Sequence, residues 1–456
     1  MADRAHSLPP DQAEPDPTYR SVLDWVWSFS ARPRTPDEIV GQRAVKLERM
    51  RALLHLLDDP QLAFPSLLVA GTKGKGSTVA MLASCLAAAG RRTGRYTSPH
   101  LVNWRERTSI DGEPISTERV VALAAPIRRA IEQLPPDVGQ PTTFEVGTAL
   151  AFMQFAEQGV DVAVLEVGVG GRHDATNVVE PLVSAITPIS YDHTPTLGPT
   201  LSAIAEHKAG VLRPGRPGIL GRQPAEAQQA IEAIARELDV PLDEVGRDWW
   251  WARSGADISI ESARDRQPLP VQVGLIGDHQ LDNATTAVAA LHRLGQIDQR
   301  LAVPREAIQH GLATVDWPGR LQVLQREPLL VLDGAHNAFS AEVLGQALEQ
   351  NFTFKRLLLV LGLSQGKDAH GVVDALGWRA DRLYVTRSHH ERSADPSALA
   401  ALAHDRVADL RVIVRDEVMA AVEDALHVAL PDDLVLVTGS LFVVGEALVW
   451  WGRSPR

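Results

Sequence analysis

Alternating strand-like and helix-like runs point to an α/β protein with a mostly parallel sheet, followed by a second, smaller α/β unit. Three observations carry this. Short apolar runs bounded by Pro and Gly alternate with longer helical ones, the pattern of strands buried on both faces by covering helices. One such run, residues 67–70, feeds straight into Gly71-Thr72-Lys73-Gly74-Lys75-Gly76-Ser77 and then into a helical stretch. The alternation pauses at residues 315–319 and then starts again.

Taken in order, residues 1–18 are rich in Pro and Asp and read as a disordered tail. Residues 19–57 read as helical, broken near Pro33 and Pro36, because a proline ring removes one N–H and clashes with the preceding turn. Strand 67–70 precedes helix 78–89. Helix 142–158 leads to strand 160–167, apolar but for Asp161 and Glu166, and strand 183–187 lies between Pro181 and Pro188. Residues 249–273 alternate and carry charge, as an antiparallel excursion would, and Trp249-Trp250-Trp251 reads as a packed cluster. Helix 283–294 and a linker at 315–319 close the first unit, residues 19–314. The second unit, 320–456, repeats the alternation with strands at 329–332, 356–361, 382–385, 410–414 and 434–437. Helices at 338–349, 370–376 and 442–450 make it Rossmann-like.

Composition narrows the function. The chain has 456 residues and a formal net charge of −12, against a nucleic-acid-coating protein, which needs an excess of Lys and Arg. Cys85 is the only cysteine, so neither an intramolecular disulfide nor a cysteine metal cluster can form. No signal-peptide core and no membrane-length apolar run is visible, and a cytoplasmic monomer without membrane or nucleic-acid partners is expected.

The glycine-rich turn carries chemistry. A strand, a glycine-rich loop and a helix aim several backbone N–H groups and a helix N-terminus at one point, which suits a polyphosphate. Lys75 adds a mobile cation and Ser77 a hydroxyl. A glycine separates the lysine from the serine, unlike the ordinary P-loop. Glu166, Asp174 and His193 lie at or past strand ends, where open parallel sheets bind ligands. Magnesium takes oxygen donors and keeps waters, so one carboxylate, a hydroxyl and phosphate oxygens suffice; histidine is a less usual ligand for it. Gly168-Val169-Gly170 begins a dinucleotide fingerprint, but His173 stands where its third glycine belongs.

Ten strings, in order, resemble the folylpolyglutamate synthase and dihydrofolate synthase family of the Mur-ligase superfamily: GTKGKGS, TSPHL, EVGVGGRHDATN, SYDHT, HKAGVLRPG, GDHQLDNA, WPGRLQ, LDGAHN, GKD and TGSLFVVGEAL. The resemblance runs from about Val22 to Val449 and implies an N-terminal ATPase domain and a C-terminal Rossmann-like domain with the active site between them. It implies that Gly74, Lys75, Gly76 and Ser77 hold ATP phosphates, and that Ser98, Glu166 and His193 serve magnesium, at two sites. Asn283 would meet the adenine side, while Arg320 and Asp333 reach the nucleotide. Thr142, Thr143, Phe144, Glu145, His173, Asp174 and Ala175 would line the pterin-bearing pocket. Lys75, Lys208, His193 and Arg320 would be catalytic. Lys208 resembles a lysine carboxylated by carbon dioxide (N6-carboxylysine), a reaction that needs a neutral amine; without that context it reads as an ordinary solvent-facing lysine.

The implied activity is ATP-dependent addition of L-glutamate to dihydropteroate and to the glutamate tail of folates through an acyl phosphate. Alternatives are a folylpolyglutamate synthase alone, another Mur-type amide ligase, or an ATP-hydrolysing switch. Three departures from the family stand out: Lys73 for a usual asparagine, His207 for a usual glutamate, and His173 for a usual hydrophobic residue.

Overall fold

A computed structural model describes residues 16–30, 43–264, 267–407 and 410–453. The first helix, Pro17–Ser28, starts two residues before the expected Tyr19, because Asp16 caps it through Thr18 N and Pro17 fits a helix start. The next is Arg43–His55. The breaks expected at Pro33 and Pro36, and the tail up to residue 15, lie outside the described residues.

The first sheet has eight strands. In chain order they are β1 (Ser66–Ala70), β2 (Thr93–Tyr96), β3 (Thr108–Ile110), β4 (Glu113–Pro114), β5 (Val162–Glu166), β6 (Val183–Ile186), β7 (Gly218–Leu220) and β8 (Leu242–Glu244). Their spatial order is β4-β3-β2-β5-β1-β6-β7-β8. Along the order β2-β5-β1-β6-β7-β8 every pairing is parallel; at the other edge β2–β3 and β3–β4 are antiparallel. Strands β1, β5 and β6 are buried along their whole length, as a sheet covered on both faces requires.

One face of this sheet packs on the helices Pro17–Ser28, Thr117–Glu132 and Thr143–Glu157. The other packs on Lys75–Ala88, Asp278–Ile297 and Arg305–Thr314. The expected antiparallel excursion is a separate three-stranded sheet of β9 (Trp249–Ser254), β10 (Asp257–Ser262) and β11 (Leu269–Pro270). Its tryptophans are tied down one by one: the indole N–H groups of Trp249, Trp250 and Trp251 donate to Asp243, Glu261 and Asp282.

The last sheet holds β12 (Gln322–Arg326), β13 (Leu329–Leu332), β14 (Leu357–Leu361), β15 (Arg382–Arg387), β16 (Arg411–Glu417) and β17 (Leu434–Thr438), ordered β12-β13-β17-β14-β15-β16. All its pairings are parallel except the β12–β13 hairpin. Apolar clusters cover both of its faces. Among the described residues no helix is long and apolar enough to cross a membrane.

Candidate active site between the two main sheets

β1 sits between β5 and β6, so the loop leaving it is flanked by the ends of both neighbours. The N–H groups of Thr72 and Lys73 donate to Pro188 O, just past β6, at 3.0 and 3.1 Å. Gly74 then enters the left-handed region (φ 83°) and caps the helix Lys75–Ala88. A β-carbon there would come within 2.3 Å of Asn283 Oδ1, so both conformation and space require glycine. No side chain caps this helix, which leaves its first N–H groups for an anion.

Lys75 Nζ stands 3.9 Å from Glu166 Oε1 at the end of β5. The other Glu166 oxygen accepts from Ser98 N at 3.1 Å. Burial raises the Glu166 carboxyl, while Lys75, Ser98 N and Arg320 pull it down. His193, past β6, has its imidazole pushed toward the neutral form by burial, against the nearby Asp192. Among the described residues no three His, Cys, Asp or Glu side chains gather as a metal cluster. Ser98 and Glu166 meet through the Ser98 N–H, and Ser98 and His193 both line the cavity described below.

Lys208 is buried, and its Nζ donates to Gly71 O at 2.6 Å. Burial first, then Lys75 and Lys73, push its pKa down to about 7. The solvent-facing alternative is thereby excluded. Its neighbour His207 meets His173 edge to face at 6.3 Å, so two of the three departures from the family touch each other. The third, Lys73, lies 3.6 Å from Asp192 Oδ2, and burial brings it down to about 8.

A cavity of about 560 Å³ opens beside this cluster and reaches across to the second main sheet. Thr142, Phe144, Glu145, His173, Asp174 and Ala175 line it. Thr142 and Glu145 form a reciprocal capping box on the helix Thr143–Glu157, and Glu145 also accepts from Arg49 Nε and Nη2, each at 3.0 Å. Thr143 turns the other way and donates to Val26 O. Asp174 accepts from Val169 N at 3.0 Å, Thr176 N at 3.1 Å and Thr176 Oγ1 at 2.6 Å. Its carboxylate is thus already holding a turn, and burial raises its pKa against those bonds.

Asn283 lies against Gly74 and donates to Gln280 Oε1 at 3.0 Å. Arg320 follows the connector 315–319 and donates to Gly319 O. Asp333, past β13, accepts from Leu321 N at 2.9 Å and Ala335 N at 2.8 Å.

The far wall of the cavity was not foreseen. It comes from loops past the carboxyl ends of β14, β15 and β17, with Lys367, Arg392 and Ser440, joined by His336 past β13. Asp192 bridges the two sides. Its Oδ1 lies 3.6 Å from Lys367 Nζ, and its Oδ2 lies 4.0 Å from His336 Nε2. Burial would raise the Asp192 carboxyl, but Lys73, His193, Lys367 and His336 together hold it well below the ordinary value. Arg107, buried beneath the cavity, donates to His100 Nδ1 at 2.9 Å and was missed as well.

The Mur ligase middle domain family matches residues 69–291, and the Mur ligase, glutamate ligase domain family matches residues 319–441. The dihydrofolate synthase/folylpolyglutamate synthase of Mycobacterium tuberculosis is 34% identical over 479 residues, 92% of this chain and 96% of that protein. A probable bifunctional folylpolyglutamate synthase/dihydropteroate synthase of Halobacterium salinarum is 37% identical over 407 residues, 88% of this chain; the chain spans 49% of that longer protein. Escherichia coli FolC in complex with DHPP and ADP superposes with a TM-score of 0.82 at 30% identity, covering 98% of this chain and 100% of that one. The Yersinia pestis bifunctional folylpolyglutamate synthase/dihydrofolate synthase with Mn, AMPPNP and L-glutamate bound has a TM-score of 0.80 at 31% identity, covering 94% and 98%.

Proposed function

We infer the reaction from the family to which this chain belongs, the dihydrofolate synthase/folylpolyglutamate synthases of the Mur-ligase superfamily. The chain is an ATP-dependent ligase that joins L-glutamate to dihydropteroate and to the glutamate tail of folates. The observation that carries this reading is the Lys75–Glu166 pair at 3.9 Å, at the junction of an uncapped phosphate loop with an acid-sized cavity. We read residues 19–314 as the ATP-binding unit, 315–319 as a linker and 320–456 as the unit that brings glutamate, in a monomer of the cytoplasm.

The chemistry follows from the leaving group. An acceptor carboxylate cannot expel oxide, so one of its oxygens attacks the γ-phosphorus of ATP and ADP departs. The resulting acyl phosphate is attacked by the neutral amine of glutamate. The tetrahedral intermediate loses phosphate and the amine proton, leaving an amide. Gly74, Gly76 and Ser77 offer N–H and hydroxyl groups to the phosphates, and Lys75 and Arg320 supply positive charge where it grows. Magnesium, held by Ser98, Glu166 and His193, would neutralise phosphate charge. Lys367 and Arg392 are placed to pair with the carboxylates of glutamate. Lys208, kept partly neutral, adds carbon dioxide through its amine nitrogen, loses one proton and becomes a carbamate.

One observation favours a narrower role for Asp174. Its oxygens already serve Val169 and Thr176, which supports a turn-capping part over pterin binding. A product assay separates the readings. Enzyme, ATP and glutamate are incubated with dihydropteroate or with tetrahydrofolate, and products are identified by mass. Both acceptors gaining glutamate is expected. Extension of tetrahydrofolate alone would leave only the folylpolyglutamate synthase reading, and ATP hydrolysis without any amide product would leave the switch.

A further inference from the structure

A second cavity, of about 540 Å³, lies on the other side of the TSPHL loop from the one just described. The two share only Pro99 and Leu441 among their linings. One wall is the outward face of the helix Lys75–Ala88, with Ala80, Ala83 and Ala87 at helical spacing. Leu448 and the connector residue Trp317 stand opposite. The walls mix apolar side chains with polar ones such as Ser84, Thr97 and Asp316, and besides Arg320 at its edge the cavity holds one further guanidinium cation.

That cation is Arg95 on β2. Its Nε donates to Ser109 Oγ at 3.0 Å, and its guanidinium carbon lies 5.1 Å from the centre of the Trp317 ring. Its two terminal nitrogens find no acceptor and no ion-pair partner within 4.0 Å among the described residues. Asp316 and Glu106 are the carboxylates that act on it, but Glu106 is taken up by the N–H groups of Leu101, Val102 and Asn103. Burial disfavours the charged form of Arg95, and those two carboxylates only partly offset it. A half-buried guanidinium held against an aromatic face, with no acceptor on its terminal nitrogens, is a preformed half of a bidentate pair.

We propose that this cavity binds a small carboxylate with a flat apolar body, its carboxylate on Arg95 and its body along the alanine face. The size suits a small organic acid. The site lies behind the phosphate loop. Trp317 Cζ2 stands 2.9 Å from where a β-carbon on Gly76 would lie, so the residue that stacks on Arg95 also covers the loop. The proposal does not depend on which acid the ligase extends.

Benzoate is the probe, titrated by calorimetry and by saturation-transfer NMR into the full chain. Wild type binds it; Arg95→Met weakens binding at least about tenfold, the loss of one charge-assisted bidentate pair. Ala83→Leu, which fills the cavity from the helix face while keeping Arg95, weakens it similarly. Circular dichroism shows whether each variant is folded. Lys367→Ala, which alters the other cavity, leaves benzoate affinity unchanged, and neither ADP nor inorganic phosphate displaces the probe. Absence of benzoate binding at millimolar concentration overturns the proposal. So does binding that survives both Arg95→Met and Ala83→Leu, that is lost in Lys367→Ala, or that is displaced by ADP.

Discussion

Asp192 and Lys367 stand 3.6 Å apart although they belong to different sheets, one past β6 and the other past β14. The contact joins the two halves of the site with Lys73 on the same carboxylate. An internal carboxylate thus pairs with the cation that the proposed reading gives to glutamate. Lys367→Ala is expected to raise the KM for glutamate by roughly ten- to a hundredfold, the range for one charge-assisted bond of about 1.5–3 kcal/mol. The KM for ATP should move by less than about threefold, within the scatter of a surface change. Initial rates with each substrate varied in turn decide this; equal rises in both constants would assign Lys367 to the nucleotide.

Lys75→Ala should fold normally and lose about 10²–10³ in turnover, the cost of removing one preorganised charge partner at a developing anion. The helix it begins is held by packing of its buried face and not by the lysine. Steady-state rates with a thermal melt check this. Near-normal turnover in a folded variant would take Lys75 out of the mechanism.

The Lys208 amine titrates near 7, chiefly because it is buried. Above that pH it is mostly neutral and able to add carbon dioxide; below it the ammonium dominates and cannot. Intact mass should therefore show one added carboxyl group at pH 8 with bicarbonate, and its loss at pH 6. Lys208→Ala should be inactive and partly rescued by formate or acetate, which replace the missing anion. An unmodified lysine at pH 8 together with a fully active alanine variant would refute the carbamate.

Much of the first sheet was legible because parallel strands buried on both faces read as apolar runs: β1, β5 and β6 stand where such runs end in Gly, Pro or Glu. The short strands β7 and β8, three residues each, offer no such run and were missed. The β12–β13 hairpin was half seen, since Gln322–Arg326 is only half-buried and carries Gln and Arg. The phosphate loop and Glu166 were readable from local spelling. Asp192, Lys367 and Arg392 were not, because their meeting depends on how two sheets face each other, for which a linear string has no signal. GKD and SYDHT are among the family strings, yet nothing in either names its partner. His173 and His207 were flagged separately, and only the fold puts them in contact.

Asp174→Asn and Asp174→Ala should differ. If the carboxylate mainly holds its turn through Val169 N and Thr176, asparagine retains an acceptor and most of the stability, whereas alanine loses about 1 kcal/mol or somewhat more. If it also binds the pterin edge by accepting two N–H donors, both variants raise the KM for dihydropteroate, with nucleotide affinity unchanged. Melting curves and dihydropteroate kinetics read the two roles separately. An Asn variant with wild-type dihydropteroate KM would restrict Asp174 to the turn.

The central claim is that the phosphate loop and the large cavity together activate an acid as its acyl phosphate. Dihydropteroate carrying oxygen-18 in its carboxylate tests it most directly, with released phosphate analysed by mass after a single turnover with ATP and glutamate. The account predicts one labelled oxygen in the phosphate and one in the amide product. Unlabelled phosphate, formed while the amide product accumulates, would contradict it.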